Sequence, residues 1–172
     1  MDHRAIIKRI EQFGSTLVCV VSGLSDDEVR WKPPSGAWSI LEIVCHLVDE
    51  EIRDFRLRLF QTLRDPAQPW PLNDPEAWAR EGRYNERQLG DMVRAFVKER
   101  EESVRLLRAL DKVDWNTAYI HPKVGPVRAG ELLASWAAHD ALHLRQIAKR
   151  LFELTGRDAP EYSLAYAGEW KA

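Results

Sequence analysis

Apolar residues return every three or four positions in four long stretches of this chain, and no stretch reads convincingly as a strand. The first covers about residues 3–22. Asp2 stands at its cap, Ile6, Ile7, Ile10, Phe13, Leu17, Val18 and Val21 share one side, and Gly23 sits where a glycine commonly ends a helix. The second opens on WSILEI, where Ser39 as N-cap, Glu42 three residues on and Trp38 against Ile43 make a capping box with a hydrophobic staple. It carries Ile43, Val44, Leu47, Val48, Ile52, Phe55, Leu59 and Phe60, and stops before RDPAQPWPLNDP because proline cannot continue a helix. Asp74 and Pro75 begin a short helical turn closed by Gly82. Asn85 with Gln88 opens the third stretch, in which Leu89, Met92, Val93, Phe96, Val97, Val104, Leu107 and Leu110 face one way and many Arg and Glu the other, as a solvated face. The fourth runs from about 129 to 154, with Gly156 at its end. An amphipathic helix must bury its stripe, and four in 172 residues predict an all-α four-helix bundle, one domain over residues 1–172.

Composition narrows the functional classes. The 25 basic and 27 acidic residues are interspersed, so no basic patch argues for nucleic acid or a membrane surface. No window approaches 18 continuous apolar residues, the length of a membrane span. Cys19 and Cys45 are too few for a disulfide framework, and MDHRAIIKRIEQ lacks the apolar core of a signal peptide. A reduced, cytoplasmic protein is the expectation.

In SWAAHDALHLRQI, Leu132, Trp136, His139, His143, Ile147 and Leu151 share one helix face, which turns both imidazoles into the bundle. A buried imidazole needs partners for both ring nitrogens or incurs a desolvation cost of roughly 1–3 kcal/mol. A hydrogen-bonded core pair is one solution. A divalent cation is the other, since i, i+4 spacing lets two neutral imidazoles converge on zinc, nickel, copper or iron. His46, in CHLVDEE on the second helix, lies at the border of the apolar arc and can face a neighbouring helix. Three histidines on two helices match the ligand count of a catalytic metal site, which leaves a position for water or substrate. The Glu-X-X-His signature of di-iron bundles is missing.

WSILEIVCHL and the later HPKVGPVRAGELLASWAAHDALHLRQI resemble the DinB/YfiT family: a Trp-Ser-led helix ending in His-Leu, a His-Pro and glycine loop, and a His-X-X-X-His helix followed by Gln-Ile. LSDDEVRWKPPSGAWS is similar to that family's approach to its second helix, so the resemblance covers nearly the whole chain. It implies a four-helix bundle of up-down-down-up connectivity, often a homodimer. It also implies a divalent metal, commonly zinc or nickel, on His46, His139 and His143. Some relatives are S-transferases or isomerases that use a low-molecular-weight thiol (bacillithiol, mycothiol or glutathione) as co-substrate. The chain departs from the pattern at VRAGE, where relatives often start the last helix with Thr or Ser.

An open metal position can activate water or a thiol, so a hydrolase and a thiol-dependent transferase on small-molecule substrates both follow. Glu50, one turn beyond His46, is placed as fourth ligand or proton acceptor, and Asp49 can orient an imidazole. His121, before Pro122, can overhang the metal as general acid or base. Gln146, three residues after His143, can hydrogen-bond the site, while Cys45 projects away as a small buried thiol. Trp31, Trp38, Trp115 and Trp136 read as packing, and Trp70 and Trp78 as the edge of an entrance or dimer contact. HDALH differs from a zinc-protease HEXXH by Asp140, a residue one methylene too short to hold the water well. The non-enzymatic alternative is a structural metal tying two helices together, with the surface binding a partner protein; structural sites tend to be closed by four protein ligands, so this reading gains ground if Glu50 completes the shell.

Overall fold

Ser39 Oγ accepts from the Glu42 N–H at 3.1 Å while the Glu42 carboxylate accepts from the Ser39 N–H at 2.8 Å, so the expected capping box sets the start of the second bundle helix. The computed structural model describes residues 1–170. Its elements are α1 (His3–Val21), α2 (Asp26–Arg30), α3 (Ile40–Asp49), a π-helical turn (Glu50–Asp54) running directly into α4 (Phe55–Arg64), α5 (Pro75–Glu81), α6 (Leu89–Arg108), β1 (Ala118–His121), β2 (Gly125–Arg128) and α7 (Ala129–Asp158). The four long rods are α1, α3–α4, α6 and α7. α1 packs against α6 and α7, and so does α3–α4, which puts α1 diagonally opposite α3–α4 and α6 diagonally opposite α7.

Hydrogen bonds at the helix ends give the directions. Asn85, just before α6, accepts from Ser39 Oγ at 2.7 Å and donates to the Arg30 carbonyl at 3.0 Å, so α6 starts where α3 starts and the two run parallel. Residues 65–88 therefore retrace α3–α4 as a strap from its end back to its beginning: Trp70 Nε1 donates to Thr62 at 3.2 Å, Asn73 bonds Asp54, and Tyr84 bonds Asp49. At the other crossover the Gly130 N–H donates to the Trp115 carbonyl at 2.9 Å, and the Trp115 ring lies 5.5 Å from His3, which brings the starts of α7 and α1 together. The result is the up-down-down-up bundle, whose parallel and diagonal pairs require the long proline- and glycine-bearing connectors.

Several local expectations are revised. The segment before Trp31 is not plain connector: Ser25 and Glu28 form a second capping box and fold α2. Asn85 precedes α6 rather than capping it, since its side chain is taken by Ser39 and Arg30. α7 continues past Gly156 to Asp158, because a glycine stops a helix through a left-handed conformation, which Gly23 adopts at φ 82° and Gly156 does not. The His-Pro connector folds into an antiparallel hairpin, Ala118 opposite Arg128 and His121 opposite Gly125, with Gly125 at φ 81° in the turn. Strands of four residues are too short for a period of two to stand out. Ile52, expected on the apolar stripe, is 42% exposed, while Glu50, Glu51 and Asp54 are buried, because the π turn rewinds the helix between α3 and α4.

The charged side of α6 is not wholly solvated either. Arg100, 3% exposed, sits where the two apolar clusters of the core meet, over the rings of Phe13, Phe96 and Trp136. It donates to both Asp140 carboxylate oxygens at 2.6 and 2.8 Å, to the Ile10 carbonyl at 2.7 Å, and pairs with Glu51 at 2.6 Å. Glu51 also accepts from Ser103 at 2.7 Å and from Trp136 Nε1 at 2.9 Å, which ties the π turn, α6 and α7 together.

Candidate metal centre

α3 contributes His46 and α7 contributes His139 and His143 to one interior cluster. One ring nitrogen from each lies within 4.8 Å of the others, the one such group of potential ligands among the described residues. His139 and His143 face each other through Nε2 atoms 2.9 Å apart. The His46 ring centroid is 4.7 Å from that of His143 and 5.5 Å from that of His139. His46 and His143 are buried and His139 half-buried.

Neighbouring side chains aim the rings. The Gln146 carbonyl stands 2.8 Å from His143 Nδ1; accepting the proton there leaves Nε2 of His143 as a free lone pair. Trp38 packs on His46 at 4.9 Å and Phe55 on His139 at 5.0 Å between ring centroids. Burial pushes the pKa of His46 and of His139 down to about 3, helped by the other two imidazoles at His46 and by His143 and Arg100 at His139, and lowers that of His143. All three rings are therefore neutral near pH 7, the protonation state a metal requires. His46 Nδ1 is buried without a hydrogen-bond partner, and its nearest carboxylate oxygen, on Glu50, is 3.7 Å away. Facing lone pairs and an orphaned ring nitrogen are what a divalent cation satisfies, so this donor set fits one.

Glu50 is carried to the edge of the cluster by the π turn and is 5% exposed. Burial first, then the charge of Asp54, pushes its carboxyl up to about 8 against the opposing pull of Arg58. Asp49 serves elsewhere: it accepts from the Tyr84 hydroxyl and pairs with Arg53 at 3.2 Å, so it does not orient an imidazole. His121, at the end of β1, has ring contacts with Trp70 at 5.9 Å and Tyr119 at 6.2 Å and is not among the converging nitrogens. Asp140, the protease-like position, is committed to Arg100, so the HDALH pattern lacks a group to hold water. Cys45 is buried, with its thiol pushed up to about 12 by burial. Trp70 stacks on Tyr119 at 4.3 Å beneath Arg58, packing the strap against the hairpin. Phe55 and Glu51 belong to the surroundings of the site without a distinguishing signal in sequence: one reads as core and the other as solvated.

A sequence pattern of the DinB superfamily matches residues 9–147. The chain belongs to the DinB superfamily. Two proteins of Oceanobacillus iheyensis, each bearing the name "Putative metal-dependent hydrolase", are similar to this DinB chain. One is 25% identical over 155 residues, covering 90% of this chain and 88% of its own, and the other 28% identical over 146 residues, covering 82% and 81%. Among solved structures, YfiT from Bacillus subtilis, described as a probable metal-dependent hydrolase with an unusual four-helix bundle topology, superposes with a TM-score of 0.80 at 17% identity. That match covers 89% of this chain and 87% of YfiT and establishes the DinB bundle as the shared fold. No helix among the described residues is long and apolar enough to cross a membrane.

Proposed function

We propose that this protein is a metal-dependent enzyme acting on small molecules, with His46, His139 and His143 as ligands of a zinc or nickel ion and water as the default nucleophile. The observation that carries the reading is the interior convergence of three neutral imidazoles with no fourth ligand atom in the cluster among the described residues. That count supports an open catalytic position over a closed structural one. A divalent ion held there lowers the pKa of a bound water or thiol toward neutrality. Glu50, buried beside His46 with its carboxyl near 8, takes up and returns a proton in the working pH range. Gln146 and Trp38 hold the ring orientations through the cycle. The names of the Oceanobacillus relatives favour hydrolysis. The same open position accepts a low-molecular-weight thiol as co-substrate, and the homodimer implied by the family resemblance belongs to this reading.

The test is elemental mass spectrometry of untagged protein beside His46→Ala, His139→Ala and His143→Ala. One divalent ion per chain, lost in each variant, is the expected result. Absence of metal after loading with zinc, nickel or iron overturns it. Ester and amide hydrolysis, thiol consumption with an epoxide or activated alkene, and solution mass by light scattering then separate the chemistries and the oligomeric state.

A further inference from the structure

Beyond the histidine cluster, a cavity of about 390 Å³ opens between the start of α3, the strap and α7. Gly36, Trp38, Ile43, Glu76, Gln146 and Arg150 line it. Two of these, Trp38 and Gln146, are the residues that touch His46 and His143, so the supports of the histidine cluster also form walls of this cavity. Trp38 and Ile43 supply its apolar wall, and the exposed Glu76 lines it as well.

Arg150 is out of place in such a setting. It is 5% exposed, lies two helical turns beyond His143 on the same helix, and pairs through Nη1 with Glu153. Its Nε is buried with no hydrogen-bond partner among the described residues. A guanidinium carries five N–H donors in a planar fork that matches an oxyanion, and burying one with donors unused is costly unless something completes it. We propose that Arg150 and this cavity form a recognition subsite for an oxyanion group of the substrate, a carboxylate or a phosphate. Seven residues of helix rise separate Arg150 from His143, about 10 Å. The substrate class is therefore a small molecule with an anionic end and an apolar middle that rests on Trp38 and Ile43, and with its reacting bond at the histidine cluster. This deepens, and rests on, the metal-dependent reading above, because it assigns the reacting bond to that cluster.

The test uses the full-length protein, metal-free and zinc-loaded, titrated with benzoate, phenyl phosphate and the neutral isostere benzamide. Binding is followed at the Arg150 Nε–H resonance in ¹⁵N-correlated NMR spectra, assigned by its loss in Arg150→Lys, and metal content is measured on the same samples. Saturable shifts with either oxyanion and none with benzamide are expected, the stronger of the two anions identifying the substrate group. Arg150→Gln is expected to weaken binding at least tenfold while leaving zinc stoichiometry at its wild-type value. Arg150→Met, which keeps the buried stem, repeats the measurement should the Gln variant not fold. An unmoved resonance, or equal binding of benzoate and benzamide, overturns the subsite. Saturable anion binding in a protein that takes up no metal leaves the subsite standing and overturns the metal reading alone.

Discussion

Arg100 is one cation facing two buried carboxylates, and the imbalance predicts an unequal response to mutation. Arg100→Met leaves Glu51 and Asp140, 1% and 3% exposed, without a counter-charge. Breaking a buried pair in this way costs about 3–5 kcal/mol. For a chain of this length, at about 2–4 °C per kcal/mol, the melting temperature falls by roughly 6–20 °C. Asp140→Asn instead leaves Arg100 and Glu51 balanced one to one at 2.6 Å, and an amide oxygen remains to accept from the guanidinium. Its cost is that of weakened hydrogen bonds, about 1–3 kcal/mol. The assay is urea unfolding followed by tryptophan fluorescence at pH 8, on chelator-treated protein so that metal binding adds nothing by mass action. At pH 8 Asp140 is ionised, its pKa being raised to about 6 by burial and by Glu51 against the pull of Arg100. At pH 5 the two variants draw closer, since Asp140, stranded by Arg100→Met, escapes its penalty by taking up a proton. Asp140→Asn costing as much as Arg100→Met at pH 8 would refute the charge-counting argument.

Three further outcomes follow from the site. Gln146→Leu removes the acceptor at His143 Nδ1 and is expected to weaken zinc affinity about 10- to 100-fold with little change in stability, read by competition with a chromogenic chelator; unchanged affinity removes Gln146 from the site. Glu50 has its folded pKa raised from 4.5 to about 8, so between those values folding takes up a proton and wild-type metal-free protein loses stability as pH rises. Glu50→Gln lacks this slope and gains on wild type by up to about 1.4 kcal/mol per pH unit across the window, and parallel stability curves would contradict it. Because burial holds His46 and His139 near 3, protons compete poorly for the proposed ligand nitrogens, and zinc loaded into the protein is expected to stay until below about pH 5. Half-release at pH 6.5, the ordinary imidazole value, would mean that the rings titrate as if exposed.

Much of the bundle was legible because its signals are local. Ser39 and Glu42 mark a helix start within four residues, and the stripes of α1, α6 and α7 repeat often enough to survive single exceptions. His46, His139 and His143 could be singled out because imidazoles at apolar positions demand a reason. What escaped depends on contacts distant in sequence. Arg100 and Glu51 look like surface charges until α6 and the π turn are brought together, 49 residues apart along the chain. The π turn leaves no composition signal, so extending a regular α-helix through Glu50–Asp54 put Ile52 inside and gave no reason to bury Glu51 or Asp54. The β1–β2 hairpin likewise owes its place to Tyr119 packing on Trp70, a strap residue far from it in sequence.

The π turn also explains why a buried charge network lies beside a histidine cluster. It sends adjacent residues to different tasks, Glu50 toward His46 and Glu51 to Arg100, Ser103 and Trp136. On α7 the same division recurs between His139, in the cluster, and Asp140, on Arg100. Successive residues of an α-helix project about 100° apart, so fixing Asp140 on Arg100 fixes the rotation of α7 about its own axis and with it the aim of His139 and His143. Metal sites select their ion largely through geometry, and three imidazoles on two separate helices hold a geometry only if those helices cannot roll. An apolar replacement of Arg100, Glu51 and Asp140 together could match the network in stability. It would not index α7 against the π turn, and the proposed zinc affinity should fall in such a triple variant even where its melting temperature does not.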